Sequence, residues 1–99
     1  IVDKEIESEW ARIPHFYSDF YVYQYATGYA AASAFAKAIL EKEEGAVDKY
    51  INNFLKSGGS NHPIEILKSA GVDMTTSTPL EATMERFNEL LDMLEEVIN

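Results

Sequence analysis

Ninety-nine residues make one small domain or a piece of a larger one, near the shortest length that buries a core unaided. Eight basic against 17 acidic residues leave a net charge of −9, which repels phosphate backbones and anionic bilayers and so argues against nucleic acid and an anionic membrane surface as partners. With no cysteine, neither a disulfide framework nor a thiolate zinc site can form.

No run of about 18 apolar residues is present to span a bilayer, and 46% hydrophobic with 25% charged residues is ordinary for a soluble globular chain. A cysteine-free chain fits a reducing compartment, so the expected location is cytoplasmic. The chain opens on Ile1-Val2-Asp3-Lys4, without an initiator methionine or a signal peptide. It is read here as cut from a longer polypeptide.

In chain order the pattern is all helix with short connections. Residues Ile1 to Ala11 carry Ile6 and Trp10 four apart, as on one face of a short helix. Pro14 disfavours helix at Ile13, which places His15 on a loop or at a helix entry, and Ser18 or Asp19 can cap the next helix. That helix is expected from about Phe20 to Glu41. Tyr21, Tyr25, Gly28, Ala32, Phe35 and Ile39 form an apolar stripe, with Tyr23, Thr27, Ala30 and Ala34 as a second track. Its many small residues predict a central helix, buried on most sides.

Glu41 to Gly45 break the pattern. A third helix is expected over about Ala46 to Lys56, with Val47, Tyr50, Ile51, Phe54 and Leu55 on one face. Ser57-Gly58-Gly59-Ser60-Asn61-His62 reads as a loop. Pro63 opens a short helix, Ile64 to Ala70, and Gly71 fits its C-terminal cap. After a polar stretch, Thr78-Pro79-Leu80-Glu81 reads as a capping box. Leu80, Met84, Phe87, Leu91, Leu94 and Ile98 then alternate spacings of four and three, as in an antiparallel bundle or coiled-coil-like seam.

The chemistry concentrates in residues 13 to 28, where His15 precedes four of the six tyrosines. Imidazole and phenol groups are hydrogen-bond donors near neutral pH and can hold a carbonyl oxygen that gains charge during a reaction. The same residues would also serve as interface packing and a helix cap, and spacing alone leaves both readings open. Tyr21 and Tyr25 share a face. Tyr23 lies about 200° around the helix from Tyr21, so the three cannot all enter one pocket. On the apolar stripe, Tyr25 and Tyr29 read as packing residues.

Metal ligands are too few. His15 and His62 are far apart, no His-Glu-x-x-His spacing exists, and each histidine has a single nearby carboxylate (Asp19 or Glu65). Glu41, Glu43, Glu44, Glu95 and Glu96 read as solvated. The double-glycine loop lacks the Gly-Lys-Ser/Thr ending of a phosphate-binding loop. It reads either as a mobile backbone that lies against an extended peptide or as a plain connector.

The segments Ala11-Arg12-Ile13-Pro14-His15-Phe16-Tyr17 and Phe20-Tyr21-Val22-Tyr23-Gln24-Tyr25-Ala26-Thr27-Gly28 resemble the C-terminal part of the oligoendopeptidase F family, within the thimet-oligopeptidase-like zinc peptidases. Leu55-Lys56-Ser57-Gly58-Gly59-Ser60, Pro63 to Lys68, Ala70 to Met74 and Phe87-Asn88-Glu89-Leu90-Leu91 continue the likeness in the same order. The resemblance implies that residues 1–99 form a single all-α subdomain of four to five helices, the C-terminal part of a larger, clefted metallopeptidase fold. The zinc and its His-Glu-x-x-His helix would then lie N-terminal to Ile1, and this stretch alone would be inactive.

By the same resemblance, His15 and Tyr23 are the catalytic donors that bind substrate and stabilise the tetrahedral intermediate. Tyr17 and Tyr21 are further substrate-binding candidates, and Gly58 and Gly59 are candidate substrate contacts. The implied partners are an oligopeptide substrate and the N-terminal remainder of the polypeptide. A reading of another class is a non-catalytic interaction module that dimerises through the amphipathic helix from Leu80 to Ile98.

Overall fold

The computed structural model of the chain describes residues 2–98; Ile1, expected to start the first helix, lies outside them. Every regular element among the described residues is helical. The chain enters through 3₁₀ segments, Lys4–Arg12 and Pro14–Tyr17. Four α-helices come after them: α1 (Tyr23–Leu40), α2 (Ala46–Lys49), α3 (Pro63–Ser69) and α4 (Thr78–Ile98). A wide π-turn, Tyr50–Phe54, and a 3₁₀ turn, Leu55–Ser57, prolong α2, so the third expected helix is present in three windings.

Helix α1 is the spine, and its alanines explain both its formation and its packing. Alanine has the highest helix propensity and the smallest side chain that does not weaken a helix. Ala30 of α1 and Pro79 and Ala82 of α4 are buried, and α4 packs chiefly on α1; Ala31 is buried in the cluster of Phe35, Ala70 and Val72. Phe35, one turn on from Ala31 and 7% exposed, fills the space between α1, the π-turn and α3. Its ring lies 5.1 Å from that of Tyr50 and 5.0 Å from that of Phe54. The wider π-turn brings both aromatics onto Phe35, and the Asn53 side-chain amide donates to the Ser69 carbonyl at 2.8 Å to hold that turn against α3.

The end of α3 obeys its sequence closely. Gly71 takes φ +102°, a conformation that a side chain resists. The Gly71 amide bonds to the Lys68 carbonyl and the Val72 amide to that of Leu67, the two bonds of a Schellman cap. Val72 is thereby turned into the core beside Ala70 and Leu67. The next turn is held by Asp73, which accepts from the Thr75 amide and hydroxyl at 3.0 and 2.6 Å and pairs with Lys68 at 3.2 Å. At the head of α4, Glu81 accepts a hydrogen bond from the Ser77 hydroxyl at 2.7 Å, so its partner is one residue earlier than the expected Thr78.

Two expectations fail on packing. The stripe along α1 is not buried as a whole: of its six residues Phe35 alone is, whereas Tyr21, Tyr25, Gly28 and Ala32 are exposed, and the other buried positions of α1, Ala30 and Ala31, lie off it. The seam of α4 is likewise open, its six residues from Leu80 to Ile98 being 42–72% exposed. The periodicity identified apolar faces correctly, but the partners that would cover them are not among the described residues. The radius of gyration, 17.6 Å, exceeds the about 13 Å of a compact chain this long. The accessible surface, 8172 Å², exceeds the about 5,700 Å² of a folded monomer of this mass.

This packing makes two measurable predictions. Phe35→Ala should cost about 3–5 kcal/mol in chemical denaturation, and Leu91→Ala less than about 0.5 kcal/mol, although both lie on apolar stripes. Asp73 titrates at about 2 rather than 3.8, chiefly through its bonds from Thr75 and then Lys68. A depressed carboxylate contributes stability above its ordinary pKa and loses it as pH falls through the folded value. Acid melts should therefore show a loss between about pH 4 and 2 that is absent in Asp73→Asn.

Candidate functional site

The site is built where the chain enters α1. Ile13 is extended (φ −91°, ψ 106°), as a residue before proline should be, and Pro14 opens the 3₁₀ turn that carries His15. The chain then reverses through residues 18 to 22, with Phe20 at φ +55°. A left-handed conformation at an aromatic residue is unfavourable. It is supported here by the Gln24 side-chain amide, which donates to the Phe20 carbonyl at 3.1 Å. Neither Ser18 nor Asp19 caps α1: Val22 occupies the cap position, without a side-chain hydrogen bond.

This reversal folds Tyr21 back over His15. The two rings stack 5.4 Å apart with 7° between their planes. Tyr25, one turn later, stands edge-on to both: its ring centre is 6.3 Å from His15 and 6.1 Å from Tyr21. Stacking uses the faces of the imidazole and leaves its in-plane nitrogens available. Tyr21, by hydrogen bonding and by like-charge repulsion, raises the pKa of Tyr25, so this phenol keeps its proton further into the alkaline range. His15, Tyr21 and Tyr25 are all exposed, Tyr25 to 61%.

The other expected residues are placed differently. The Tyr17 hydroxyl donates its proton to the Ala11 carbonyl at 2.8 Å, and its ring lies 6.4 Å from Trp10, so Tyr17 ties the turn to the N-terminal segment. Tyr23 is outside the His15 cluster. It borders a groove between α1, α3 and the start of α4, with Thr27, Pro63 and Leu80 among the other walls. Gly58 adopts φ +53°, ψ −128°, accessible in practice to glycine alone, and a Cβ at Gly58 or Gly59 would meet nothing within 4 Å. The loop they form leads through Asn61 and His62 into Pro63, at the edge of the groove that Tyr23 borders.

The structure thus gathers His15 with Tyr21 and Tyr25 and sets Tyr23 apart. Tyr25 was legible only through its four-residue spacing from Tyr21; its place on an apolar stripe pointed to packing instead. Among the described residues no three His, Asp or Glu side chains gather as metal ligands do, and no helix is long and apolar enough to cross a membrane.

Comparison with known proteins gives a consistent result. The sequence model of Peptidase family M3 matches residues 2–86. The oligopeptidase PepF of Bacillus subtilis is 56% identical over 98 residues, covering 99% of this chain and 14% of its own length. The plasmid-borne oligoendopeptidase F of Lactococcus lactis subsp. cremoris is 46% identical, covering 95% of this chain and 16% of its own. The crystal structure of oligoendopeptidase-F from Enterococcus faecium superposes with a TM-score of 0.83 at 51% identity, over 97% of this chain and 18% of that one. The chain therefore spans less than a fifth of each of these relatives.

The Tyr21–Tyr25 contact is open to direct measurement. In Tyr21→Phe the Tyr25 phenol should titrate nearer its ordinary 10.0, tracked by NMR of ring-labelled tyrosine; an unchanged midpoint would show that the contact does not govern its proton.

Proposed function

Because this chain belongs to peptidase family M3, we propose that residues 1–99 are the C-terminal helical subdomain of a longer metallopeptidase that hydrolyses short peptides. The observation that carries the proposal is the exposed cluster of His15, Tyr21 and Tyr25 at the head of α1. An imidazole and a phenol held side by side on an open edge can donate to a peptide carbonyl as its oxygen gains charge. The Phe20 turn and the stacked Tyr21 fix the imidazole before substrate arrives, so little reorganisation is left for the reaction.

From the sequence resemblance alone, Tyr23 is the expected catalytic phenol. The geometry favours a division of labour. Tyr25 sits beside His15 and is the better donor to the reacting oxygen, with Tyr21 orienting both. Tyr23 borders the groove and binds the substrate nearby, and the Gly58-Gly59 loop supports the peptide backbone. Tyr17 positions the turn.

Among the described residues no three His, Asp or Glu side chains are gathered to hold a metal. A catalytic zinc, which polarises a carbonyl and activates water when bound, would be held by other segments of the polypeptide. Those segments would also cover the exposed seam of α4. This assignment is favoured over self-pairing of α4 because relatives similar over nearly the whole chain are five- to sevenfold longer. With no cysteine in the chain, the cytoplasm is the proposed location.

The test is made in the longer polypeptide. Tyr25→Phe and His15→Ala should each lower kcat by about 10²–10³ with little change in KM, whereas Tyr23→Phe should act mainly on KM. Turnover of Tyr25→Phe within about twofold of the parent would remove its role. The isolated 99-residue chain should neither bind zinc tightly nor cleave peptides; zinc-dependent cleavage by it would overturn the assignment of the metal to other segments.

A further inference from the structure

The loop between the π-turn and α3 carries a chemical feature that peptide binding does not use. Asn61 is exposed there, between the paired glycines and Pro63. The main-chain amide of His62 donates to the Oδ1 atom of Asn61 at 2.8 Å. A side-chain amide is thus folded back onto the backbone nitrogen of its own successor. The Cγ carbon, bonded to that oxygen, comes within reach of the same nitrogen. Upstream the backbone has room to turn: Cβ atoms added at Gly58 and Gly59 would meet nothing within 4 Å.

The other described asparagines are held differently. The Asn52 side chain donates to Asp48 at 2.6 Å and accepts from Lys56 at 2.7 Å. That of Asn53 donates to the Ser69 carbonyl at 2.8 Å. Asn88 lies inside α4, where the following amide belongs to the helical ladder. Asparagine is a thermolabile residue, and an amide carbon kept beside a nitrogen needs little further ordering to react with it.

We propose that Asn61 is a self-modifying site, which converts to aspartate and isoaspartate through a cyclic imide. The His62 nitrogen gives up its proton to water and attacks Cγ of Asn61. A C–N bond forms, the Cγ–Nδ2 bond breaks, and Nδ2 takes up a proton and leaves as ammonia. One water then opens the imide. Breaking the new Cγ–N bond restores the original main chain and leaves an aspartate. Breaking the bond from the nitrogen to the main-chain carbonyl carbon leaves an isoaspartate, whose main chain runs through Cβ and Cγ. Water is the only co-reactant. Either product adds a negative charge to the loop, and isoaspartate also lengthens the main chain ahead of Pro63. This chemistry is independent of the peptidase reading above and proceeds whether or not the protein cleaves peptides.

To test it, the longer polypeptide is kept at neutral pH and sampled over weeks. The segments around Asn52, Asn53, Asn61 and Asn88 are mapped by mass spectrometry, and an isoaspartyl carboxyl methyltransferase reports the isoaspartate. Ammonia loss at Asn61 should be at least about tenfold faster than at the other three sites, and as fast in the folded protein as in the denatured chain or faster. His62→Ile, whose branched Cβ crowds the attacking nitrogen, should slow it by about tenfold. Asn61→Gln, which would have to close a larger ring, should abolish it. Slower conversion in the folded protein than in the denatured chain would overturn the site. An unchanged rate in His62→Ile would do the same, and so would aspartate formed without isoaspartate, since that product comes from direct hydrolysis and not from an imide.

Discussion

The contact on which this structure depends is the close approach of α4 to the alanine face of α1. Ala30, Pro79 and Ala82 are buried where the two helices meet, and Phe35 with Ala31 then plugs the angle between α1, α3 and the π-turn. Ile66, Ala70 and Val72 complete the buried set among the described residues. The remaining elements are placed by short-range devices: a glycine cap after α3, an Asp73 turn, and the amide of Gln24 across the reversal at Phe20. A core of small side chains fixes the geometry of helices well, but it removes little apolar surface from water, and each large side chain left exposed forgoes about 1.5–3 kcal/mol. The open faces of the chain are the consequence.

That distribution has a functional sense. The face of α1 that packs is mostly alanine, and the reversal before the helix together with its first two turns carries the tyrosines. Because α1 is anchored through Ala31 and Phe35, its N-terminal turns can be exposed without losing their direction. Two sides of those turns are then used differently. Tyr21 and Tyr25 meet His15 on one side, and Tyr23 borders an uncharged groove on the other. The ion pair of Lys37 with Glu85 links α1 to α4 beyond the core, and Glu85 raises the Lys37 pKa, keeping the lysine charged. None of the described carboxylates lines the groove.

Elements set by local chemistry were legible in the sequence. Gly71 announced the end of α3, Pro63 its start, and the periodic residues after Thr78 the whole of α4. Gly58 and Gly59 announced a loop, and Gly58 takes a backbone conformation that suits glycine alone. What depended on distant contacts was not legible. The start of α1 fell three residues late because Phe20 takes a left-handed turn that aromatic residues normally avoid. The π-turn at Tyr50 to Phe54 answers to Phe35, which is distant in sequence. The stripes on α1 and α4 were real, but periodicity reports that a face is apolar and not what covers it. For the site, the family likeness pointed to His15 and a phenol, while which tyrosine stands beside the imidazole depends on the path of the residues between them.

The central claim is that the core around Phe35 belongs to this chain alone, while the far half of α4 reaches its working state against other segments of a longer polypeptide. Amide hydrogen exchange, compared between the isolated chain and the longer protein, measures this most directly. The account predicts similar protection in both for residues 31–35 and 66–72. It predicts fast exchange at residues 87–97 in the isolated chain and strong protection of the same residues in the longer protein. Equal protection of residues 87–97 in the two would contradict it, because the exposed seam would then need no partner.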